Sequence, residues 1–210
     1  MTKTSYHHGN LKDTILDEVL KLLNFKSFDE ISFRSISRNI GVVSSAPYNH
    51  FKDKKHLIKE VILLGEKKLF NVILLEKKKS KVPTEQLLLI AKAYLKFAIK
   101  EKALFNLMFS KDNKELLHLC EKIVLQFKLV IIEKFKKGKR FKLTAKGSAI
   151  TAWSMIHGIA VTLNNSKKET LESLWNVELE NILGEMSAIW GKGVSEKWVF
   201  MKKVILILLK

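Results

Sequence analysis

The sequence holds one cysteine, two prolines and nine glycines in 210 residues. Cys120 alone cannot form an intramolecular disulfide, which excludes a disulfide-stapled secreted domain and fits a reducing cytoplasm. With few prolines and glycines, little interrupts the runs of helical spacing, and no strand-like alternation of useful length or internal repeat occurs. An all-α chain is therefore expected. No uninterrupted apolar run reaches the roughly 18–20 residues of a membrane-spanning helix. Residues 1–10 are polar with two histidines, so no signal peptide is read there. Gly-rich phosphate loops, nucleophile elbows and paired carboxylates are missing too, so neither an enzyme nor a cofactor is expected. The adjacent His7 and His8 would face different directions on a helix, as would His118 and Cys120, which argues against a metal site.

What is present is positive charge, +17 in formal terms. An acidic partner follows, with nucleic acid first and an anionic membrane second. The excess is uneven. Residues 1–60 carry 10 Lys+Arg against 7 Asp+Glu, residues 61–141 carry 19 against 8, and residues 142–210 carry 9 against 6. Lysine outnumbers arginine 35 to 3, as nucleotide bias alone can produce, so charge by itself does not identify a function. Apolar residues make up 47% of the chain, enough for a core in one large domain or in a small domain fused to a larger one.

Helical spacing is clear along most of the sequence. Leu11, Ile15, Leu16, Val19, Leu20 and Leu23 predict an amphipathic helix over 11–25, followed by a connector over 26–31. Ser32 can cap a short helix over 33–40, with Phe33, Ile36 and Ile40 inward, and Gly41 can stop it. Asp53 can cap a long helix from Lys54 to about residue 78. Further helices are expected over 84–100, 103–109, 113–136, 144–164 and 171–190, with a basic loop at 137–143 and a tail after Gly191 and Gly193.

Pro47 sits inside an otherwise helical stretch, "SSAPYNHF", residues 44–51. Proline in a helix interior costs about 3 kcal/mol. In the first turn it sacrifices no hydrogen bond, because those N–H groups have no partner within the helix. With Ser44 as N-cap, Pro47 marks a helix start, and residues 33–51 become two short helices joined by a glycine-containing turn. In a helix-turn-helix protein the start of the second helix enters the major groove.

"ISFRSISRNIGVVSSAPYNHFKDKKHLIKEVI", residues 31–62, resembles the DNA-binding segment of TetR-family transcriptional regulators. The matching features are Ile40-Gly41-Val42, the Tyr48-x-His50-Phe51 ending and the following Lys52-Asp53-Lys54-Lys55-x-Leu57. "YHHGNLK", residues 6–12, resembles the lead-in of one branch. "LFNLMFS", residues 104–110, and "AWSMIHGIAVTL", residues 152–163, resemble that branch's C-terminal domain, with Trp153, His157 and Gly158 in a Trp-x-x-x-His-Gly pattern. The resemblance spans roughly residues 6–190. It implies a DNA-binding domain over 1–55, a helical effector-binding and dimerisation domain over 56–193, and an extra tail over 194–210.

The resemblance implies a cytoplasmic homodimer and a repressor released from a double-stranded DNA operator by a small-molecule effector. Carried onto this sequence, Tyr48, His50 and Lys54 hold phosphates, and Ser44, Ser45 and Asn49 reach base edges. Arg34 could reach a guanine or a phosphate, and Ala46 a thymine methyl. Phe51 is expected in the core. Val43 is apolar where many relatives are polar, which removes one contact. The last two family-like helices are expected to form the dimer interface, through Ala149, Ala152, Gly158 and Ala160 at close approaches and Leu174, Ile182 and Met186 as apolar area. Candidates for the effector lining are Phe97, Phe105, Met108, Phe109, Phe127 and Trp153, with His157 as a polar handle. They favour an apolar or aromatic compound, although each is also an ordinary core residue. The alternative reading is a basic helical protein that binds a membrane surface or a protein partner. The central lysines and the tail "WVFMKKVILILLK", residues 198–210, would support it without stable insertion.

Overall fold

Ile15, Leu16, Val19 and Leu23 recur at intervals that place them on one side of a helix, and all four are buried. They form the inner stripe of α1 (Leu11–Leu23) in the computed structural model. The structure describes residues 11–111, 113–136, 144–165, 176–178, 181–186 and 188. Regular structure among the described residues is entirely helical. The expected tail over 194–210, the lead-in before Leu11, the basic loop and half of the last expected helix lie outside the described residues.

The described residues fall into two compact units. One comprises 11–71 and 100–117, the other 72–99 and those from 118 onward. In the first unit α1 packs on α2 (Phe33–Ile40), on a 3₁₀ turn over Ala46–Asn49 and on α5 (Lys102–Met108). Burying Ile15, Val19, Ile36 and Phe51 contributes about 1.5–3 kcal/mol per side chain. Polar ties fix the helix angles. Asn39 Nδ2 donates to Glu18 Oε1 at 2.8 Å, and Lys12 pairs with Glu60 at 2.6 Å. The half-exposed ion pair is worth at most about 1 kcal/mol.

The helix starts expected from the sequence are present with their caps. Ser35 N–H donates to Ser32 Oγ at 3.1 Å, His56 N–H to Asp53 Oδ1 at 2.7 Å, and Gly147 N–H to Thr144 Oγ1 at 3.0 Å. Gly41 ends α2 at φ 73°, in the left-handed region that favours glycine. Helix α3 runs over Lys54–Lys77, so the boundary expected at residue 55 falls inside its first turn.

Among the elements that differ from expectation are two on either side of the long helix α3. The connector over 26–31 contains a 3₁₀ turn, Phe28–Glu30, closed by Ser27 N–H donating to the Glu30 carboxylate at 2.8 Å. Helix α6 (Leu116–Lys136) starts three residues later than Asn113. Asn113 is buried, and its side chain donates to the Met108 carbonyl at 2.6 Å and accepts from Glu115 N–H at 2.9 Å. Satisfying the end of α5 takes Asn113 out of the helix.

The second unit is built from residues 83–99 of α4 (Pro83–Lys100), most of α6, and α7 (Ala145–Asn165). Tyr94, Leu95, Ile123, Phe127 and Ile131 are almost wholly enclosed there. Pro83 occupies the first helical position of α4, where its missing N–H costs nothing. Near the other end, buried Asn164 of α7 donates to the Ala98 carbonyl at 3.2 Å, one of the last carbonyls of α4 that lack a helical partner.

Two sites in the first unit test its packing. Ser37 is buried and its hydroxyl has no hydrogen-bond partner. Ser37→Ala should therefore stabilise the protein by about 1 kcal/mol, read as a higher urea midpoint. A Cβ on Gly65 would stand 2.6 Å from Met108 Sδ and 3.0 Å from Leu104 Cδ1. Gly65→Leu should destabilise by about 1–3 kcal/mol in the same measurement.

Candidate functional site

The turn after α2 is tied down by its own backbone. Gly41 and Val42 N–H groups both reach the Ser37 carbonyl, and Ala46 N–H donates to Val43 O at 3.0 Å. The segment expected as an α-helix over 44–51 is instead a 3₁₀ turn of four residues, Ala46–Asn49, with Ser45 as its N-cap. Pro47 lies at the second position, one earlier than expected. The physical reason lies in packing, which draws Pro47 and Phe51 into the core and leaves too short a stretch for a regular helix. Tyr48 N–H then donates to Ser45 O at 3.1 Å, again three residues back. The turn closes when Phe51 N–H donates to Pro47 O at 2.9 Å.

This geometry sorts the side chains. Pro47 and Phe51 are buried, and Ser44, Ser45, Tyr48, Asn49 and His50 are exposed, with Ala46 between. In a 3₁₀ turn residues three apart eclipse, so Ser45 aligns with Tyr48 and Ala46 with Asn49. Tyr48, 59% exposed, is held by the edge of the Phe33 ring at 4.7 Å between centroids. Arg34 is exposed in the first turn of α2, and Val43 is 71% exposed beside the polar group. The structure thus brings seven of the eight expected DNA contacts to the solvent-facing side of α2 and the turn, Ala46 among them only in part.

Lys54 is placed differently. Its ammonium donates to the Asp29 carbonyl at 2.7 Å and stands 5.3 Å from the Phe28 ring centroid, so a phosphate would have to compete for it. Lys52 and Lys55 are exposed on either side of it, and neither side chain has an ion pair among the described residues. The run Lys52-Asp53-Lys54-Lys55 was the available signal for them.

The expected effector residues are divided between the two units. Phe105, Met108 and Phe109 belong to the first unit, where Phe105 and Met108 are buried. Phe97 is buried in the second unit, and Trp153 stacks on His157 at 5.0 Å. Only Phe127 of the seven lines a cleft there. Its other lining residues are Thr84, Leu87, Leu88, Ala91, Lys134, Ala152, Met155, Ile156, Leu183 and Met186. Burial pushes the Lys134 ammonium below the usual lysine range. Of the small residues expected at a dimer interface, Ala149 and Ala160 are buried within the unit, Ala152 lines the cleft, and Gly158 is exposed. Met186 also lines the cleft, Ile182 is half-buried, and Leu174 lies outside the described residues.

His157 is committed elsewhere than to the cleft. Tyr94 Oη and His157 Nδ1 are 2.7 Å apart. Burial raises the Tyr94 hydroxyl far above the ordinary tyrosine range, so it donates and Nδ1 accepts. The Trp153 indole N–H lowers that value somewhat through its proximity, yet it lies outside hydrogen-bond geometry and is buried without a partner.

No protein-family model and no curated protein sequence matches this chain. Solved structures do match it in fold. A protein of unknown function from Rhodococcus sp. RHA1 superposes with TM-score 0.77 at 21% identity, over 92% of this chain and 100% of that one. PfmR, a TetR family transcriptional regulator from Thermus thermophilus, gives 0.62 at 16% identity, over 84% and 96%. FadR, a fatty acid degradation regulator from Bacillus halodurans, gives 0.67 at 12% identity, over 90% and 96%. The fold is therefore that of TetR-type regulators, a helical helix-turn-helix N-terminal domain followed by a helical C-terminal domain.

Burial holds the His157 imidazole below its ordinary value of 6.5. The unfolded chain therefore binds more protons in the window from 6.5 down to the folded value, and stability falls as pH drops through it. His157→Asn should flatten that fall, seen by comparing urea midpoints of the two proteins between pH 7 and roughly pH 5.

Proposed function

We propose that the protein is a DNA-binding transcriptional regulator, a dimeric repressor released by a small molecule. The observation that carries this reading is the polar group Ser44, Ser45, Tyr48, Asn49 and His50, held outward by the buried Pro47 and Phe51, with Arg34 alongside. Phosphates are served by Tyr48, His50 and the exposed lysines around the start of α3, whose backbone N–H groups point toward an anion. Asn49 reads a base edge. The DNA-reading domain is residues 1–55, and residues 56–193 bind the effector and the second protomer, the exposed face of α7 at Ile150 and Gly158 forming part of that contact. The stacking of Trp153 on His157 one helical turn away, with Gly158 beside it, supports membership of the branch that carries the Trp-x-x-x-His-Gly pattern.

Selection of bound fragments from sheared genomic DNA, followed by gel shifts at several salt concentrations, tests the reading. Near-palindromic fragments with half-sites about 34–36 Å apart are expected. Failure to enrich any sequence, or flotation with anionic vesicles in place of DNA binding, would sink it. On the selected DNA, Asn49→Ala should lose about 1–3 kcal/mol of discrimination against random DNA. Lys55→Ala should weaken all DNA alike and flatten the log–log salt slope by about 0.9. Lys54→Ala should change that slope less, since its ammonium already serves Asp29.

A further inference from the structure

Val43 stands at the head of the exposed polar stretch and is itself 71% exposed. Backbone hydrogen bonds fix its place on both sides. Val42 N–H donates to Ser37 O at 3.0 Å, and Val43 O accepts from Ala46 N–H at 3.0 Å. Branching at Cβ restricts χ1 as well, so the two methyl groups of Val43 are presented with little freedom left to lose. A single exposed apolar side chain is ordinary on a protein surface. This one adjoins Ala46, whose half-exposed methyl aligns with Asn49 three residues on in the 3₁₀ turn. Methyl groups and a carboxamide are therefore neighbours there.

That combination is chemically selective. No lysine or arginine occurs over 41–51, so the stretch lacks the side chains that pair bidentately with guanine. Asn49 offers the carboxamide that pairs with adenine. Thymine, the partner base of adenine, carries a 5-methyl group into the major groove, where it is read by apolar contact. A methyl group of Val43 closing on it would remove apolar surface of both from water. We infer that Val43 is a specificity-determining residue that reads the 5-methyl group of a thymine, one in each half-site. The inference rests on the DNA-binding reading proposed above. It also revises the expectation that an apolar residue at this position only removes a contact.

Uracil scanning of the DNA selected by the full chain tests the inference. Each thymine of a half-site is replaced singly by deoxyuridine, which lacks the 5-methyl group and keeps the base pair, and affinities are compared by gel shift. At one thymine per half-site the wild-type chain should bind about three- to fivefold more weakly, the factor for one buried methyl-sized group. Val43→Ala should bind the thymine DNA more weakly by a similar factor and be indifferent to uracil at that position. Val43→Ile keeps branched methyl groups and should keep the dependence. Both variants should bind random DNA as the wild type does, since the phosphate contacts are untouched. A selected half-site without thymine, or no thymine whose replacement weakens wild-type binding, overturns the inference and leaves the DNA-binding reading standing. So does a uracil effect that persists in Val43→Ala, or an Ala variant that binds the selected DNA as tightly as the wild type. Failure to select any DNA removes both claims.

Discussion

Phe51 ends the exposed stretch over 44–50 with its ring wholly enclosed, and the placement of everything outward of it depends on that burial. Its N–H closes the turn on Pro47 O, its ring meets the edge of His56 at 5.8 Å, and Lys12 of α1 lies 6.0 Å from its centroid. A four-residue 3₁₀ turn has too few hydrogen bonds to hold itself. It is held because its two apolar members, Pro47 and Phe51, are packed against helices that are themselves stable. The polar members then have nowhere to go but outward. The same logic explains the mixed character of the segment, since any apolar replacement on the outer side would have no core to enter.

Much of this was legible in the sequence. Gly41, Asp53, Pro83 and Thr144 announce helix ends through local chemistry, and local chemistry can be read without knowing the fold. The form of the stretch over 44–51 was not legible. Whether Pro47 begins an α-helix or stays in a 3₁₀ turn depends on how far Phe51 is pulled inward, which is a matter of packing. Lys54 illustrates a similar limit. Its carbonyl partner, Asp29, is 25 residues away, so nothing in the run of lysines separates it from Lys52 and Lys55. The lining of the cleft was least legible. Large aromatic side chains enter cores wherever volume is needed, and Phe105 and Met108 fill the first unit because α5 packs against α1. Lys134, one lysine among 35, carried no mark of its position beside an apolar cleft.

The second unit contains a small polar island in its core. Tyr94, Trp153 and His157 come from α4 and α7, and each offers a hydrogen-bonding atom to buried surroundings. Such a group is expensive unless it is satisfied, and it permits few alternative packings of the two helices. Asn164, bonded to the Ala98 carbonyl, adds a second fixed point two turns further along α7. Between these points the apolar side chains can be exchanged more freely than the polar ones, because the register of α4 on α7 is set by hydrogen bonds and only then filled by volume.

The length of the 3₁₀ turn at the centre of the proposed reading segment has a consequence for information. Four residues at about 2 Å of rise per residue extend about 8 Å. Base pairs stack at about 3.4 Å, so one such segment spans two or three of them. A word that short recurs by chance throughout any genome, where competing sites number about a million or more. If the chain binds DNA as the proposed dimer, a single head cannot define an address, and the address lies in the fixed distance between two heads, so that what a genome must preserve is the spacing between two short words at least as strictly as their spelling.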